Sequence, residues 1–121
     1  MSIEELKESI AHNNIPVKGK QMEYKVLVTV KEVRGNCVFP HRTGDTIEFT
    51  GPWMKGKICL TAFTAIYPFI HALRFGAEFP WGGGGKGLKV PKDRIIASCS
   101  DPFNTVVFEL RKGEKFEMIY V

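Results

Sequence analysis

The strongest constraint on this chain is an alternation of side chains over residues 24–34 (Tyr-Lys-Val-Leu-Val-Thr-Val-Lys-Glu-Val-Arg). Val26, Val28 and Val30 fall on one face, with Lys25, Thr29 and Lys31 on the other. A period of two with one apolar face is a half-buried strand, which needs a sheet around it. Gly35-Asn36 ends it, and the pattern returns in Thr46–Thr50 with Ile47 and Phe49 alternating. Ile95–Ser98 reads as a further strand, and in Thr105–Arg111 Val106, Phe108 and Leu110 share a face. Lys112-Gly113 reads as a hairpin turn into Lys115–Val121, where Phe116, Met118 and Tyr120 share a face.

Helical signals are fewer. Ser2 with Glu5 forms a capping box, and Ile3, Leu6 and Ile10 follow at helical spacing, so residues 2–12 read as a short amphipathic helix. Asn13-Asn14 and Pro16 stop it, and residues 15–22 read as a linker. Residues 60–75 are helical by pattern but contain Pro68, which predicts a kink or two short helices before Gly76 ends the segment. The expected fold is α+β: one domain over 23–121, preceded by the helix and linker of 1–22. Its core would be a curved, largely antiparallel sheet of about five strands with a Pro-kinked central helix.

A chain of 121 residues is long enough to bury a core without staples. Its three cysteines, Cys37, Cys59 and Cys99, are odd in number and widely spaced, unlike a disulfide framework. The acidic start Met1–Glu5 is unlike a signal peptide, and Ile58–Phe75 is too short and too polar to span a bilayer. A reducing cytoplasm, with free or metal-bound thiols, is the expected setting. Seventeen basic against thirteen acidic residues is a mild excess. Its only cluster, Lys86, Lys89, Lys92 and Arg94, reads as a solvated loop, which argues against nucleic acid.

Function is sought in the cysteines. Cys37 and His41 are four apart in one loop, Cys59 precedes the central helix, and Cys99 ends a strand before the Asp101-Pro102 turn. Side chains at element ends are where chemistry is commonly presented. Three thiolates and an imidazole suit tetrahedral Zn²⁺ or a soft iron site. No paired C-x-x-C supports that set, and the plain alternative is that each cysteine is a small buried hydrophobe. A second reading makes Cys59 a nucleophilic thiolate, activated by the helix N-terminus and by Lys55 and Lys57 nearby. His41 or His71 would then serve as base and Asp101 would orient it.

Asp101 or Glu78 would handle protons, and Arg74 would receive an anionic substrate. Tyr67 and Trp81 belong to an aromatic-rich centre that lines a pocket or meets another subunit. Asp45 reads equally as a turn cap and as a catalytic group. The run Gly82–Gly87 matches G-x-G-x-x-G only formally, since no strand leads into it, and it reads as a loop that could act as a lid.

Several of these pieces together resemble one family. They are Cys37 with His41-x-x-Gly44-Asp45, then Ile58-Cys59, then Tyr67-Pro68-x-Ile70-x-Ala72-Leu73-Arg74-Phe75-Gly76, then Phe79-Pro80-Trp81. The last is Cys99-x-Asp101-Pro102-x-Asn104 with Val106–Glu109. The combined pattern, from about Lys25 to Leu110, resembles an uncharacterised family of small stand-alone Cys/His-motif proteins common in anaerobic bacteria and archaea. Where that family more often has Gly before the histidine and Pro after the last cysteine, this chain has Pro40 and Ser100. The resemblance implies no particular activity. It does imply that the three cysteines, His41 and Asp101 form one site.

The expectation is thus a small cytoplasmic protein, homo-oligomeric and not membrane-bound. Cys37, His41, Cys59 and Cys99 would hold Zn²⁺ or Fe²⁺ in an aromatic pocket that accepts a small-molecule ligand or substrate. The alternatives are a metal-free enzyme using Cys59 and a non-catalytic binding or assembly module. Whether the chain is an enzyme is left open by its residues.

Overall fold

The valine alternation becomes the middle strand of a five-stranded sheet. In a computed structural model, which describes residues 2–3, 19–79 and 92–120, the strands are β1 (Gly19–Val33), β2 (Thr46–Thr50), β3 (Trp53–Lys55), β4 (Arg94–Ser98) and β5 (Val106–Tyr120). Their order is β3-β2-β1-β5-β4 and every neighbouring pair is antiparallel. One helix, α1 (Leu60–Arg74), is present among the described residues and packs across β1, β4 and β5. The single α+β domain expected from the sequence is therefore observed. Residues 4–12 of the helix predicted over 2–12, the Gly82–Gly87 loop and Trp81 lie outside the described residues.

Register explains why the pattern works. Val28 stands opposite Leu110 and Val30 opposite Phe108, so the apolar faces of β1 and β5 coincide. Val26, Val28, Val30, Phe108 and Leu110 are all fully buried. Onto this face α1 lays Ala62, Ile66, Ile70 and Leu73, spaced four, four and three apart along one stripe. Each fully buried aliphatic side chain of this kind contributes about 1.5–3 kcal/mol.

Three sequence expectations need correcting. Residues 19–22, read as linker, are strand: Gly19 to Met22 pair with Tyr120 to Glu117. The Lys112-Gly113 hairpin turn does not form. Instead β5 runs through as one strand, and both of its halves pair with β1. The register slips there, because Val26 faces Lys112 while Tyr24 faces Lys115. One extra residue on β5 is a β-bulge. Gly113 suits it, since an added Cβ would lie 3.2 Å from the Lys25 carbonyl oxygen.

The third correction concerns Pro68, where one of the two expected outcomes, a pair of short helices, does not occur. The central helix is neither divided nor restarted there, and α1 continues through the proline to Arg74. Proline removes the amide that the Thr64 carbonyl would accept, but Thr64 and Pro68 are both exposed, so water can replace it. The buried stripe extends on both sides of the proline and holds the element together. Among the described residues no helix is long and apolar enough to cross a membrane.

Candidate functional site

Two cavities flank α1, and most of the predicted site residues line one or the other. The smaller, about 210 Å³, is lined by Cys37, His41, Cys59, Cys99 and Asp101, together with Thr61 and Ala62 from the first turn of the helix. These side chains come from the β1–β2 loop, the start of α1 and the β4–β5 loop. The three thiols are free and partly buried.

Local chemistry holds the two loops together. Asp101 Oδ1 accepts the N–H groups of Phe103 and Asn104, each at 2.9 Å, and Thr105 Oγ1 donates to the Asp101 carbonyl at 2.6 Å. Asn104 Oδ1 in turn accepts the Asn36 amide at 2.9 Å. The Arg34 amide donates to the Thr105 carbonyl at 2.8 Å. Gly35 sits where these meet, with φ of 81°. An added Cβ there would lie 2.6 Å from Asn104 Oδ1 and 2.8 Å from the Phe103 carbonyl oxygen. Only glycine fits, both for the left-handed backbone and for the close approach.

The same contacts define what Asp101 can do. The Asn104 and Phe103 amides hold its carboxyl below the usual aspartate range. It is ionised at neutral pH, built to shape the turn and poorly placed as a proton donor. Glu78 is exposed and lines neither cavity. Asp45 Oδ2 accepts the Arg42 amide at 2.9 Å, which is a turn-capping contact.

His41 is the buried polar group of this cavity, 6% exposed. Its ring lies against Phe39 at 4.4 Å, tilted by 36°, and meets Phe108 edge-on at 5.6 Å. Nε2 accepts the Cys59 amide at 3.3 Å, so the neutral ring carries its proton on Nδ1. Burial pushes the His41 pKa down, against a smaller upward pull from Asp45. His41 is therefore neutral at pH 7, which leaves it able to bind a metal or accept a proton.

Cys59 is the N-cap of α1 and makes no side-chain capping bond, and no acidic residue stands in the first turn. The amides there favour negative charge beside them. Cys99 Sγ accepts the Val106 amide at 3.3 Å and approaches the Asn104 carbonyl at 3.9 Å. Amides donated to sulfur recur around metal-bound thiolates. Among the described residues, no three His, Cys, Asp or Glu side chains stand close enough together to hold an ion as they are.

The larger cavity, about 490 Å³, takes Tyr67, His71 and Arg74 from the predicted set. Tyr67 and Arg74 line it, on the helix face beside the buried stripe, opposite the β2–β3 hairpin. The sequence reading merged this place with the cysteine site. It also passed over Glu23, which is fully buried and accepts from Arg74 Nε at 2.6 Å. Asn104 was noted only within a motif, and its role as a clamp depends on a contact across the fold. Compared with family models, curated proteins and solved structures, the chain gives no match.

Proposed function

We propose that the smaller cavity is a soft-metal site, with Cys37, Cys59 and Cys99 as thiolate ligands and His41 as the fourth donor. The observation that carries this reading is the convergence of four soft donors, from three separate segments, on one cavity of about 210 Å³. The donor set suits tetrahedral Zn²⁺, and Fe²⁺ next. Binding draws the two loops inward onto the start of α1, since the donors are not within ligand distance as they stand. His41 ligates through Nε2, its unprotonated nitrogen, once the Cys59 amide is released. The resemblance described above runs through the same positions and supports the reading.

The test is titration of anaerobically reduced protein with Co²⁺. One equivalent is expected to produce thiolate-to-metal absorption in the near ultraviolet and tetrahedral bands in the visible. Cys37→Ser, Cys59→Ser and Cys99→Ser should each weaken both, and Zn²⁺ should displace the cobalt. A wild-type titration indistinguishable from that of the triple serine variant overturns the proposal.

A metal-free reading is favoured by one observation, the N-cap position of Cys59 with no side-chain capping bond. It makes Cys59 the reactive thiol, with neutral His41 accepting a proton. Iodoacetamide mapping separates the two readings. Cys59 alkylating well ahead of Cys37 and Cys99, with no cobalt spectrum, selects the thiol chemistry.

A further inference from the structure

The larger cavity is independent of the cysteines. Its volume of about 490 Å³ lies within the usual range of small-molecule pockets. Its walls are mostly apolar: Phe49 and Met54 from the β2–β3 side, and Phe63 and Ile70 from α1. The Phe49 and Phe63 rings are nearly parallel, with centroids 6.1 Å apart, so an aromatic ring comes from each side of the cavity. A wet apolar surface of this size gains by taking an apolar body.

One end of the cavity is charged. Arg74 lines it, and among the described residues no carboxylate does. Glu23, the partner of Arg74, is 0% exposed and outside the lining, whereas the Arg74 side chain is 17% exposed. The ion pair thus turns its positive end toward the cavity and its negative end into the core. Phe75 packs under the guanidinium at 4.8 Å and, with Glu23, fixes its position. A pre-positioned guanidinium beside an apolar wall discriminates by charge: an anion is attracted, a cation repelled, and a neutral head group is left without a strong partner.

We propose that this cavity binds a small apolar carboxylate, with its carboxylate at Arg74 and its body between the β2–β3 hairpin and α1. Sodium octanoate is the first probe, with 1-octanol and octylammonium as matched neutral and cationic chains. Calorimetry on the whole protein is expected to give saturable one-to-one octanoate binding, about tenfold or more tighter than 1-octanol, with octylammonium weakest. Amide shifts on adding octanoate should centre on Phe49, Met54, Phe63 and Arg74. Phe63→Trp, which fills the cavity, should abolish binding of both octanoate and octanol. The pair Glu23→Gln with Arg74→Met removes both charges of the ion pair together. It should keep octanol binding while losing the preference for octanoate.

Non-saturable binding, equal affinity for octanol and octanoate, or shifts centred elsewhere each overturn the proposal. So does a dimer in sedimentation that octanoate neither dissociates nor competes with at these residues, because a second copy would then fill the cavity. None of these outcomes depends on the cysteines, so failure here leaves the metal reading standing, and the reverse holds.

Discussion

The His41 imidazole accepts the backbone amide of Cys59 at 3.3 Å. This one contact ties the β1–β2 loop to the first residue of the helix segment. It unites two predicted site residues that are eighteen positions apart in sequence. It also sets the tautomer of the histidine that lines the thiol cavity.

Replacing that ring should cost stability. His41→Ala removes one hydrogen bond and leaves a void between Phe39 and Phe108, together worth about 2–3 kcal/mol. The pH dependence has a definite sign. Because burial lowers the His41 pKa in the folded protein, the unfolded chain binds the proton more readily. The stabilisation is complete above the unfolded value of about 6.5. It falls away as pH drops from there through the folded value. Urea midpoints measured from pH 8 to pH 5 should therefore decline more steeply for wild type than for His41→Ala. Parallel curves would refute the assignment.

Gly35 is the hinge point of the loop clamp. Gly35→Ala forces a Cβ to within 2.6 Å of Asn104 Oδ1 in a left-handed backbone. Loss of about 2 kcal/mol is expected from strain and displaced hydrogen bonds. The consequence reaches the site, because Cys37 and Cys99 sit on the two loops that are pushed apart. Weaker Co²⁺ affinity in this variant, with all four donors intact, would show that the clamp positions them. Unchanged affinity would show that it does not.

The Glu23–Arg74 pair should behave as a unit. Arg74→Ala removes the ion-pair partner of the fully buried Glu23 carboxylate and is expected to lower stability by about 3–5 kcal/mol. Combining Glu23→Gln with Arg74→Met should cost much less than the sum of the single changes. Chemical denaturation of the four proteins closes the cycle, and simple additivity would contradict the pairing.

Pro68 offers a gain. It is exposed, within a continuous helix, and outside both cavity linings. Pro68→Ala restores an amide to the Thr64 carbonyl and should raise stability by about 1–3 kcal/mol. Thermal unfolding that shifts downward instead would mean that the proline ring makes contacts of its own.

The sequence determined the strand faces and the helical segment, and it singled out the four residues that line the smaller cavity as candidates. Val26, Val28 and Val30 announce their common face because side chains in a strand alternate strictly, whatever surrounds them. Cys37, His41, Cys59 and Cys99 stand out because reactive side chains at element ends are visible in one dimension. Tertiary structure decided the rest. Lys112-Gly113 looks like a turn locally and becomes a bulge because β1 is long enough to pair with both halves of β5. Pro68 looks like a break and is absorbed because burial on both sides of it exceeds the loss of one exposed bond. Asp101 looks catalytic and is a turn former because its partners are the amides two and three residues on. Arg74 and Tyr67 are separated from the cysteines, and Glu23 is joined to Arg74, by packing across fifty-one positions. No local pattern encodes such a distance, since it depends on where the sheet places each element against the helix.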